Sequence, residues 1–558
     1  MAGNAHFQYI SSNAQIMSKK TIQRHVQLVT CQINEGVLDV AGLKNYLMQN
    51  GYPLAVALCE DGTRITAAAE YDYGTDAIRG LVAPLDSKGF PIKDMFPAST
   101  PYRIAEYVNS YPLGNYAYVQ LAVPLASDAA PYVLYHSCTN NQFQYKDVLN
   151  RWTHTEHLLQ CEGIKVISHA SDGDSRLLKS MKNRAGLETQ PIPSPWGQWF
   201  RVNYEDSTPI NVQDMVHTIN KFRNRLLKSS MEIGNCIITT DHLYDLINNH
   251  SKDKHGLCTS DVSFKDKMKF QPTIKLMNLV MIKFLEEKIP NSKGTAFFLD
   301  LMRRMYRSFI EPDIPLLERV QDIWTTNFIV RAWRNWCKRN HTNLTKSITT
   351  NAYICLELNA HAIILLVKEC RDNEVPEQFV LSAFSSQPCE QLFRELRSMA
   401  TSNQTVVNFS IKELTEKLKR IFMKRHIMYK HRDIIKFPFM EKLQRRCNGL
   451  TTLPSDIEMI EAVEKAQTVA YEILVSLGLS RSTIEIQDSI GLGINVPDIE
   501  FIDVGLTEDS TDSDEHSIDS SSLPKFDLHC EELSDSENVE YHDNMSNQAQ
   551  SHELPDWQ

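Results

Sequence analysis

The sequence is 558 residues long, which is too long for one hydrophobic core and predicts two to four structural units. Hydrophobic residues make up 42% of the chain, as in ordinary globular proteins, and no apolar run approaches the roughly 18 residues that a membrane span needs. We therefore expect no membrane as a partner. The 12 cysteines form no C-x2-C or C-x4-C pair, which argues against a zinc module and a disulfide framework and favours a reducing nuclear or cytosolic compartment.

The net charge of −11 hides a division along the chain. Residues 483–558 contain 20 Asp and Glu and one Lys, a net of −19, whereas residues 1–482 carry a net of +8. A segment so charged and so poor in apolar residues cannot bury enough surface to order itself. The sequence predicts a mildly basic folded body and a disordered acidic tail over residues 483–558.

The first 200 residues show an α/β order. A helical lead-in over residues 1–50 contains "KTIQRHVQLVTCQI" and "DVAGLKNYLMQNG". A meander of three strands follows, from "PLAVALCED" through "TRITAAAEYDY" to "AIRGLVAPLD". After it come a helix at "TPYRIAEYVN", a strand at "YAYVQLAVPLA", a helix at "YKDVLNRWTHTEHLLQCEG", a buried strand at "IKVISHA" and a helix from "SDGDSRLLKSMKN". Three strands followed by alternating helices and strands indicate an α/β fold.

Residues 201–380 change to an almost entirely helical pattern. Apolar residues recur at i, i+3, i+4 and i+7 in segments such as "TIKLMNLVMIKFLEEKI" and "NAYICLELNAHAIILLVKEC". We therefore predict an all-α domain there. Residues 381–482 contain the helix that opens at "SSQPCEQLF", a basic helix at "KELTEKLKRIFMKRHIMYKHRD" and a last helix at "PSDIEMIEAVEKAQTVAYEILVSLGL".

Three carboxylates stand where predicted elements begin or end. Asp61 lies at the end of the first strand, Asp172 follows the strand "IKVISHA", and Glu390 lies in the first turn of its helix. Functional residues of open α/β sheets cluster at the carboxyl ends of strands. Two such aspartates and a helical carboxylate can hold a pair of divalent metals, for which oxygen ligands favour Mg²⁺ or Mn²⁺. Each residue also has an ordinary interpretation, as a turn former, a helix cap or a charge that complements the helix dipole.

Six blocks between about residues 50 and 440 resemble cut-and-paste DNA transposases with an RNase H-like catalytic domain. The blocks are "CEDGTRI", "SHASDGDSRLLKSM", "VQDMVHTINKFRNRLL", "GTAFFLDLMRRM", "NAYICLELNAHA" and "SSQPCEQLFRELRSMATSNQTVVNFS". The resemblance is closest to the P-element and THAP-associated group and more distant to the hAT group. No single block is a strong signature, and the order and spacing of the blocks carry the resemblance.

The resemblance implies an RNase H-like mixed sheet interrupted by a large all-α insertion. Residues 51–200 would form the first part of the catalytic domain, residues 201–380 the insertion and residues 381–482 the remaining part of the catalytic domain. Asp61, Asp172 and Glu390 would be the three catalytic metal ligands, with Asp174 as a competitor for the second position. The 218 positions between Asp172 and Glu390 require an insertion of this size.

The same resemblance singles out Asp214, His217 and Lys221. A related D-x-x-H motif, with a lysine close behind, opens the insertion domain of the P-element group, which binds GTP. Here the lysine follows the histidine by four positions rather than three, and no Gly-rich phosphate loop is visible, which argues against GTP as a cofactor. The alternative interpretation is structural, a basic helix with a half-buried histidine.

Basic residues after Glu390 are candidates for contact with DNA phosphates. They are Arg394 and Arg397 on the helix of Glu390 and Lys419, Arg420, Lys424 and Arg425 on the basic helix. A solvated surface is the alternative interpretation of the basic helix. Only about 60 residues precede Asp61, and they contain a single cysteine before Cys59, so the N-terminal zinc-binding module of the family is expected to be missing.

The sequence therefore predicts a transposase-derived protein of the nucleus. It would cleave phosphodiesters and transfer DNA strands with Mg²⁺ or Mn²⁺ during DNA transposition, and its partners would be DNA, other copies of the chain and proteins that bind the acidic tail. The competing hypothesis is a domesticated, non-catalytic DNA-binding or interaction protein that keeps the fold. The three carboxylates favour the enzyme, and the missing zinc module favours its competitor.

Overall fold

The computed structural model describes residues 33–126, 129–187, 196, 199–203, 208–263, 269–341, 345–399, 408–430 and 452–479. The strands are β1 (Ala55–Arg64), β2 (Glu70–Asp72), β3 (Ala77–Arg79), β4 (Tyr116–Pro124), β5 (Tyr132–Thr139), β6 (Lys165–Ser171), β7 (Ile210–Gln213), β8 (Met231–Ile233) and β9 (Cys236–Ile238).

The α-helices are α1 (Val40–Asn50), α2 (Pro101–Ser110), α3 (Tyr145–Cys161), α4 (Ser175–Ala185), α5 (Met215–Lys228), α6 (Asp241–Asn249), α7 (Lys252–His255), α8 (Gln271–Leu276), α9 (Leu279–Lys288), α10 (Lys293–Phe309), α11 (Leu316–His341), α12 (Thr350–Asp372), α13 (Gln387–Ser398), α14 (Ile411–Lys430) and α15 (Asp456–Ser476).

A mixed five-stranded sheet organises the first half of the chain. Its order is β5, β4, β1, β6, β7, in which β4 runs antiparallel to β1 and β5 antiparallel to β4, while β6 and β7 extend the sheet in parallel. The prediction of a mixed sheet is confirmed. In the register of the parallel pair, Glu60 of β1 lies opposite Ser171 of β6, so Asp61 and Asp172 follow directly at the same end of the sheet.

The central strand of the sheet, β1, is buried on both faces. The first seven residues of β1 are all buried, as is usual for a strand covered on two sides. On one side, α13 packs on β1 and β4, and α14 packs on β5. The residues Leu392, Phe393 and Leu396 of α13 are buried in the core of the sheet, as the sequence predicts for the apolar face of this helix.

The predicted meander of three strands is only partly correct. The first strand is β1, but β2 and β3 form a separate two-stranded hairpin outside the main sheet. The polar and charged residues around this hairpin leave little apolar surface for a sheet face. The second and third strands of the sheet are instead β4, which was predicted, and β5, which was not.

The segment 201–380 is not entirely helical. The strand β7 belongs to the main sheet, and β8 and β9 form a hairpin, so the helical domain begins only after Gln213. The strand was missed because "INVQ" is too short to show a periodicity. The long helix α12 then returns to the sheet and packs against β7, which joins the helical domain to the sheet.

The last predicted unit, residues 381–482, is divided between two cores. The helices α13 and α14 pack on the sheet, whereas α15 packs along α11 in the helical domain. Met459, Val463, Ala466, Ala470 and Leu474 line the buried side of α15. The assignment of α15 to the catalytic part of the chain is therefore wrong, because its apolar stripe matches α11 rather than the sheet.

One helix of the described residues, α12, is long and apolar enough to cross a membrane. Within the protein, 83% of its apolar window is buried, which is typical of a core helix and gives a membrane span little support. The expected helix at "DVAGLKNYLMQNG" is confirmed as α1. Almost all of the helix at "KTIQRHVQLVTCQI", and the whole acidic tail, lie outside the described residues.

Candidate active site

Asp61 lies near the end of β1, opposite Val119 of β4. Its side chain is 7% exposed, and its Oδ1 accepts a hydrogen bond of 2.7 Å from the backbone N–H of Gly62. The buried residues that precede Asp61 in β1 pack in the core and hold the Asp61 carboxylate at the end of the sheet. Asp61 is thus an ionisable group held at the edge of an apolar core.

Asp172 follows β6 directly, in the turn that leads into α4. Its Oδ1 accepts a hydrogen bond of 3.1 Å from the backbone N–H of Asp174. Asp174 itself caps α4 through the N–H groups of Arg176 and Leu177 and forms an ion pair of 2.7 Å with the Arg176 guanidinium. Since the carboxylate of Asp174 is occupied in this way, Asp172 is the better candidate for the second acidic position.

Glu390 lies in the first turn of α13, which begins after Ser386 and contains Pro388. Proline suits the first turn of a helix because the missing N–H has no intrahelical acceptor there. The neighbouring Cys389 is buried against β1, with its Sγ 3.6 Å from the Sγ of Cys59. The helix therefore sits directly over the strand that carries Asp61.

The three carboxylates influence one another. Burial raises the pKa of Asp61 well above its ordinary value, and the negative charges of Asp172 and Glu390 raise it further. A hydrogen bond between Asp61 and Glu390 adds to this effect and favours the protonated form of Asp61. Burial, and after it the charge of Asp174, also raises the pKa of Asp172. The fold thus brings together Asp61, Asp172 and Glu390 from three elements far apart in sequence.

His217, in the first turn of α5, is the positive neighbour of this group. Its Nε2 lies 3.5 Å from the Oε1 of Glu390. Burial lowers the pKa of His217, but the hydrogen bond to Glu390 and the charges of Asp214, Glu390 and Asp172 raise it to about 9. Burial raises the pKa of Glu390, whereas the hydrogen bond and charge of His217 lower it, with a net lowering. At neutral pH the two side chains form a partly buried ion pair.

Asp214 and Lys221 lie on the same helix and also face this group. Asp214 caps α5 and accepts hydrogen bonds from Ser386 and Gln387 at the start of α13. Lys221 donates a hydrogen bond of 2.9 Å from its Nζ to the carbonyl of Gly173. The motif that suggested either a nucleotide or a structural role therefore stands beside the three carboxylates, with its polar atoms bonded to protein groups.

Arg394 and Arg397 project from α13 near the carboxylates. Arg397 donates a hydrogen bond from its Nη2 to the Oγ1 of Thr63. Burial lowers the pKa of Arg397, while the charges of Glu390 and Asp61 raise it. In the described part of the chain, the Nε of Arg394 has no hydrogen-bond partner. These two cations lie beside the candidate site, and their contact with DNA stays a prediction.

Three basic side chains of the helix α14 are already paired with glutamates. Lys424 and Arg425 form ion pairs of 2.8 and 3.0 Å with Glu395 of α13, and Lys419 forms one of 3.0 Å with Glu416. Arg420 is exposed. The sequence did not indicate the first two pairs, because Glu395 is 29 and 30 positions away from its partners.

A resident metal would require a rearrangement of these side chains. Among the described residues, no group of three or more His, Cys, Asp or Glu side chains stands ready to hold a metal ion. The donor set is nevertheless suitable, because carboxylate oxygens are the ligands that Mg²⁺ and Mn²⁺ prefer, and the negative charges of Asp172 and Glu390 already act on Asp61. The chemistry of the donors thus suits a divalent metal, while Glu390 is paired with His217 in this arrangement.

Comparisons with known proteins bear on the architecture. No protein-family model matches the sequence, and no curated protein matches it significantly. Among solved structures, the chain is similar to the "Drosophila P element transposase strand transfer complex", with a TM-score of 0.55 and 15% sequence identity, over 77% of this chain and 90% of that chain. The fold is transposase-like. That likeness agrees with the resemblance to the P-element group, while the more distant resemblance to hAT transposases stays a prediction.

Within this transposase-like fold, sequence reasoning missed the residues that join distant segments. Gly173, Ser386 and Gln387 had no evident role, yet each bonds to a side chain of α5. The pattern "SSQP" signals the start of a helix. Nothing in it signals a partner that lies 172 positions earlier.

Proposed function

We propose that this protein is a transposase-derived DNA-processing protein with an RNase H-like catalytic domain. It cleaves phosphodiester bonds and joins DNA 3′ ends to new strands. One observation carries the proposal: Asp61 of β1 and Asp172 after β6 lie at the same end of the sheet, and α13, which carries Glu390, packs over β1 there. A turn former, a helix cap or a first-turn glutamate does not require two other carboxyl groups beside it, and a carboxylate that loses water next to another carboxylate costs free energy.

The three carboxylates would hold Mg²⁺ or Mn²⁺. Bound between them, two divalent ions would activate the attacking oxygen and stabilise the leaving oxygen of the phosphodiester. The protein's own contribution is to hold the carboxylates near one another in a partly buried place, where the charges of Asp172 and Glu390 act on Asp61. His217 holds the Glu390 carboxylate by an ion pair while the cation is absent.

The cationic side chains around the site suit a DNA backbone. Arg394 and Arg397 are held near Glu390 and would pair with phosphate oxygens next to the scissile bond. Arg420, which is exposed, would contact phosphates farther along. Lys419, Lys424 and Arg425 would first have to leave their glutamate partners, so we assign them a smaller share of the DNA affinity.

The second candidate is a domesticated protein that binds DNA or other proteins without cutting DNA. The ion pair between His217 and Glu390 favours this candidate, because it already compensates the charge that a metal would otherwise compensate. The two candidates agree on the fold. They differ in one respect, which is whether divalent metal turns the site into a nuclease.

The test is a cleavage and end-joining assay on DNA that carries the mobile element's ends, with Mg²⁺ or Mn²⁺. We expect cleavage by the unmodified chain and a loss of about 100-fold or more in Asp61→Asn, Asp172→Asn and Glu390→Gln. The matched control is Asp174→Asn, because asparagine caps α4 as well as aspartate does. DNA binding without cleavage would support the second candidate, and equal cleavage by all variants would contradict the metal-ligand assignment.

DNA as the substrate implies the nucleus as the compartment of action. The acidic segment 483–558 repels DNA and would recruit basic protein partners instead. A homo-oligomer remains part of the proposal, since joining two DNA ends suits two copies of an active site. Imaging of a tagged chain and mass measurement of the DNA complex test these two points separately.

A further inference from the structure

The helix α5 connects two of the three candidate ligands. Asp214, His217 and Lys221 follow one another at i, i+3 and i+7, a spacing that places them on one face of the helix. This face points to the carboxylates, since His217 contacts Glu390 and Lys221 contacts the residue after Asp172. The D-x-x-H motif and its lysine are therefore part of the surroundings of the candidate ligands.

Asp214 uses its two carboxylate oxygens for two different helices. Oδ1 accepts hydrogen bonds from the backbone N–H groups of Val216 at 2.7 Å and His217 at 3.2 Å, which caps α5. Oδ2 accepts hydrogen bonds from the Ser386 hydroxyl at 3.1 Å and the Gln387 amide at 3.0 Å. A cap needs only the first pair of bonds. The second pair fixes the start of α13, three residues before Glu390.

Lys221 makes the corresponding bond to the other candidate ligand. Its Nζ donates to the carbonyl oxygen of Gly173, the residue directly after Asp172, at 2.9 Å. A Cβ atom at position 173 would lie 2.3 Å from both the Cε and the Nζ of Lys221, so any larger residue would displace this side chain. Glycine at position 173 thus admits the lysine that fixes the turn of Asp172.

The remaining surface of α5 is embedded in the helical domain. Phe222 stacks on Phe298 of α10 with ring centroids 6.0 Å apart, and Arg225 donates to the carbonyl of Ser347 at 2.9 Å. The helix is therefore held by the helical domain on one side and holds both candidate ligands on the other. A shift of the helical domain would move Glu390 and the turn of Asp172 together.

We propose that Asp214 and Lys221 are positioning residues, which fix the separation of the Glu390 and Asp172 carboxylates through α5. This inference rests on the proposed function for its consequence in catalysis. The mechanical part, that Asp214 orders the start of α13, stands independently of any metal.

The test compares three variants of the full chain. Asp214→Ser keeps the cap of α5 but is too short to reach α13, whereas Asp214→Asn keeps the cap and can bond to Ser386 and to a rotated Gln387 amide. Lys221→Met removes the bond to Gly173 and keeps an unbranched side chain. We expect Asp214→Ser and Lys221→Met to weaken Mn²⁺ binding by roughly 10- to 100-fold and to lower cleavage in parallel, and Asp214→Asn to stay near the unmodified chain.

A measurement without metal separates this inference from the proposed function. In hydrogen exchange of the metal-free protein, Asp214→Ser should accelerate exchange in the first turn of α13 but not at the start of α5, and Asp214→Asn should do neither. Unchanged exchange in α13 would overturn the positioning role even if the protein cuts DNA. Failure of the unmodified chain to bind Mn²⁺ or to cut DNA would instead overturn the proposed function, and the exchange result would still decide the role of Asp214.

Discussion

The Nε2 of His217 lies 3.5 Å from the Oε1 of Glu390, although the helical domain separates the two residues in sequence. The pair joins the first helix after the sheet, α5, to the helix that returns to it, α13. Nearby, the charge of Asp172 acts on His217, and the Asp61 carboxyl forms a hydrogen bond with Glu390, in a place where burial disfavours charge. Such an arrangement costs stability in the metal-free protein, and it makes testable predictions.

Replacement of Asp61 by asparagine should stabilise the metal-free protein. Burial and the charges of Asp172 and Glu390 raise the pKa of Asp61, so the folded state loses stability as the pH rises above the ordinary pKa of Asp, and the loss is complete above the raised pKa. Asparagine removes the charge and can still donate a hydrogen bond to Glu390. We expect the free energy of unfolding at pH 8 to rise by about 1 kcal/mol or more in denaturant titrations with chelator. A less stable variant would contradict the account of mutual repulsion.

Replacement of Glu395 by glutamine should strengthen DNA binding. Glu395 neutralises Lys424 and Arg425, so its removal frees two cations on α14 for phosphate contacts. We expect a tighter complex and a slope of log affinity against log salt that is steeper by about 1 to 2. Fluorescence anisotropy at several salt concentrations measures both quantities. The matched control is Glu416→Gln, which frees only Lys419, and an identical slope for all three proteins would exclude α14 from the DNA surface.

Replacement of Glu357 by alanine should severely destabilise the helical domain. This buried glutamate of α12 accepts hydrogen bonds from Arg331 at 2.6 Å, Asn327 at 2.9 Å and Tyr353 at 2.6 Å. Its loss leaves a fully buried guanidinium without its carboxylate, at a cost of about 3 to 5 kcal/mol.

Denaturant titration measures this loss, and the double variant Glu357→Leu with Arg331→Met serves as the control. Removal of both charges should recover much of the stability, because an apolar pair of similar volume avoids the buried charge. If Glu357→Ala unfolds at the same denaturant concentration as the unmodified chain, the ion pair with Arg331 does not stabilise the domain.

His136 should make stability depend on pH. It lies buried in β5, and its Nε2 donates to the Oγ1 of Thr415 at 2.8 Å, because the Thr415 hydroxyl itself donates to the Ile411 carbonyl. Burial lowers the pKa of His136 to about 3, and the charges of Arg79 and Lys419 add to this effect. The neutral form is therefore the folded form, and its stabilising contribution is lost as the pH falls from about 6.5 towards 3.

We expect this residue to account for a loss of about 2 kcal/mol between pH 7 and pH 5. In His136→Gln, which can donate a hydrogen bond but does not titrate, the free energy of unfolding should fall by that much less over the same interval. Denaturant titrations at the two pH values give the difference directly. Equal losses in both proteins would show that His136 is not held neutral in the fold.

The sequence predicts the elements that have a clear period. The strands β1, β4 and β6 and the helices α3, α4 and α13 occur where apolar patterns indicated them. The metal-ligand roles of Asp61, Asp172 and Glu390 stay a prediction. The strand β7 was missed because four residues are too few to show a period. The strand β5 was missed because the predicted strand β4 and the predicted helix α3 on either side of it already formed an alternating pattern.

What the sequence cannot show is the pairing of distant side chains. Glu395 forms ion pairs with Lys424 and Arg425, which the sequence had suggested were available to bind DNA. The helix α15 packs on α11 rather than on the sheet. Asp214 looks like a cap in the sequence, and only the fold brings Ser386 and Gln387 to its other oxygen. These contacts depend on tertiary structure, which local propensity does not encode.

Titration of the full chain with Mn²⁺, followed by electron paramagnetic resonance, tests the central claim most directly. The account predicts saturable binding in the unmodified chain and in Asp174→Asn, and affinity weaker by about tenfold or more in Asp61→Asn, Asp172→Asn and Glu390→Gln. Equal affinity in all five proteins, or no binding in any of them, would contradict the claim that these three carboxylates form one metal site.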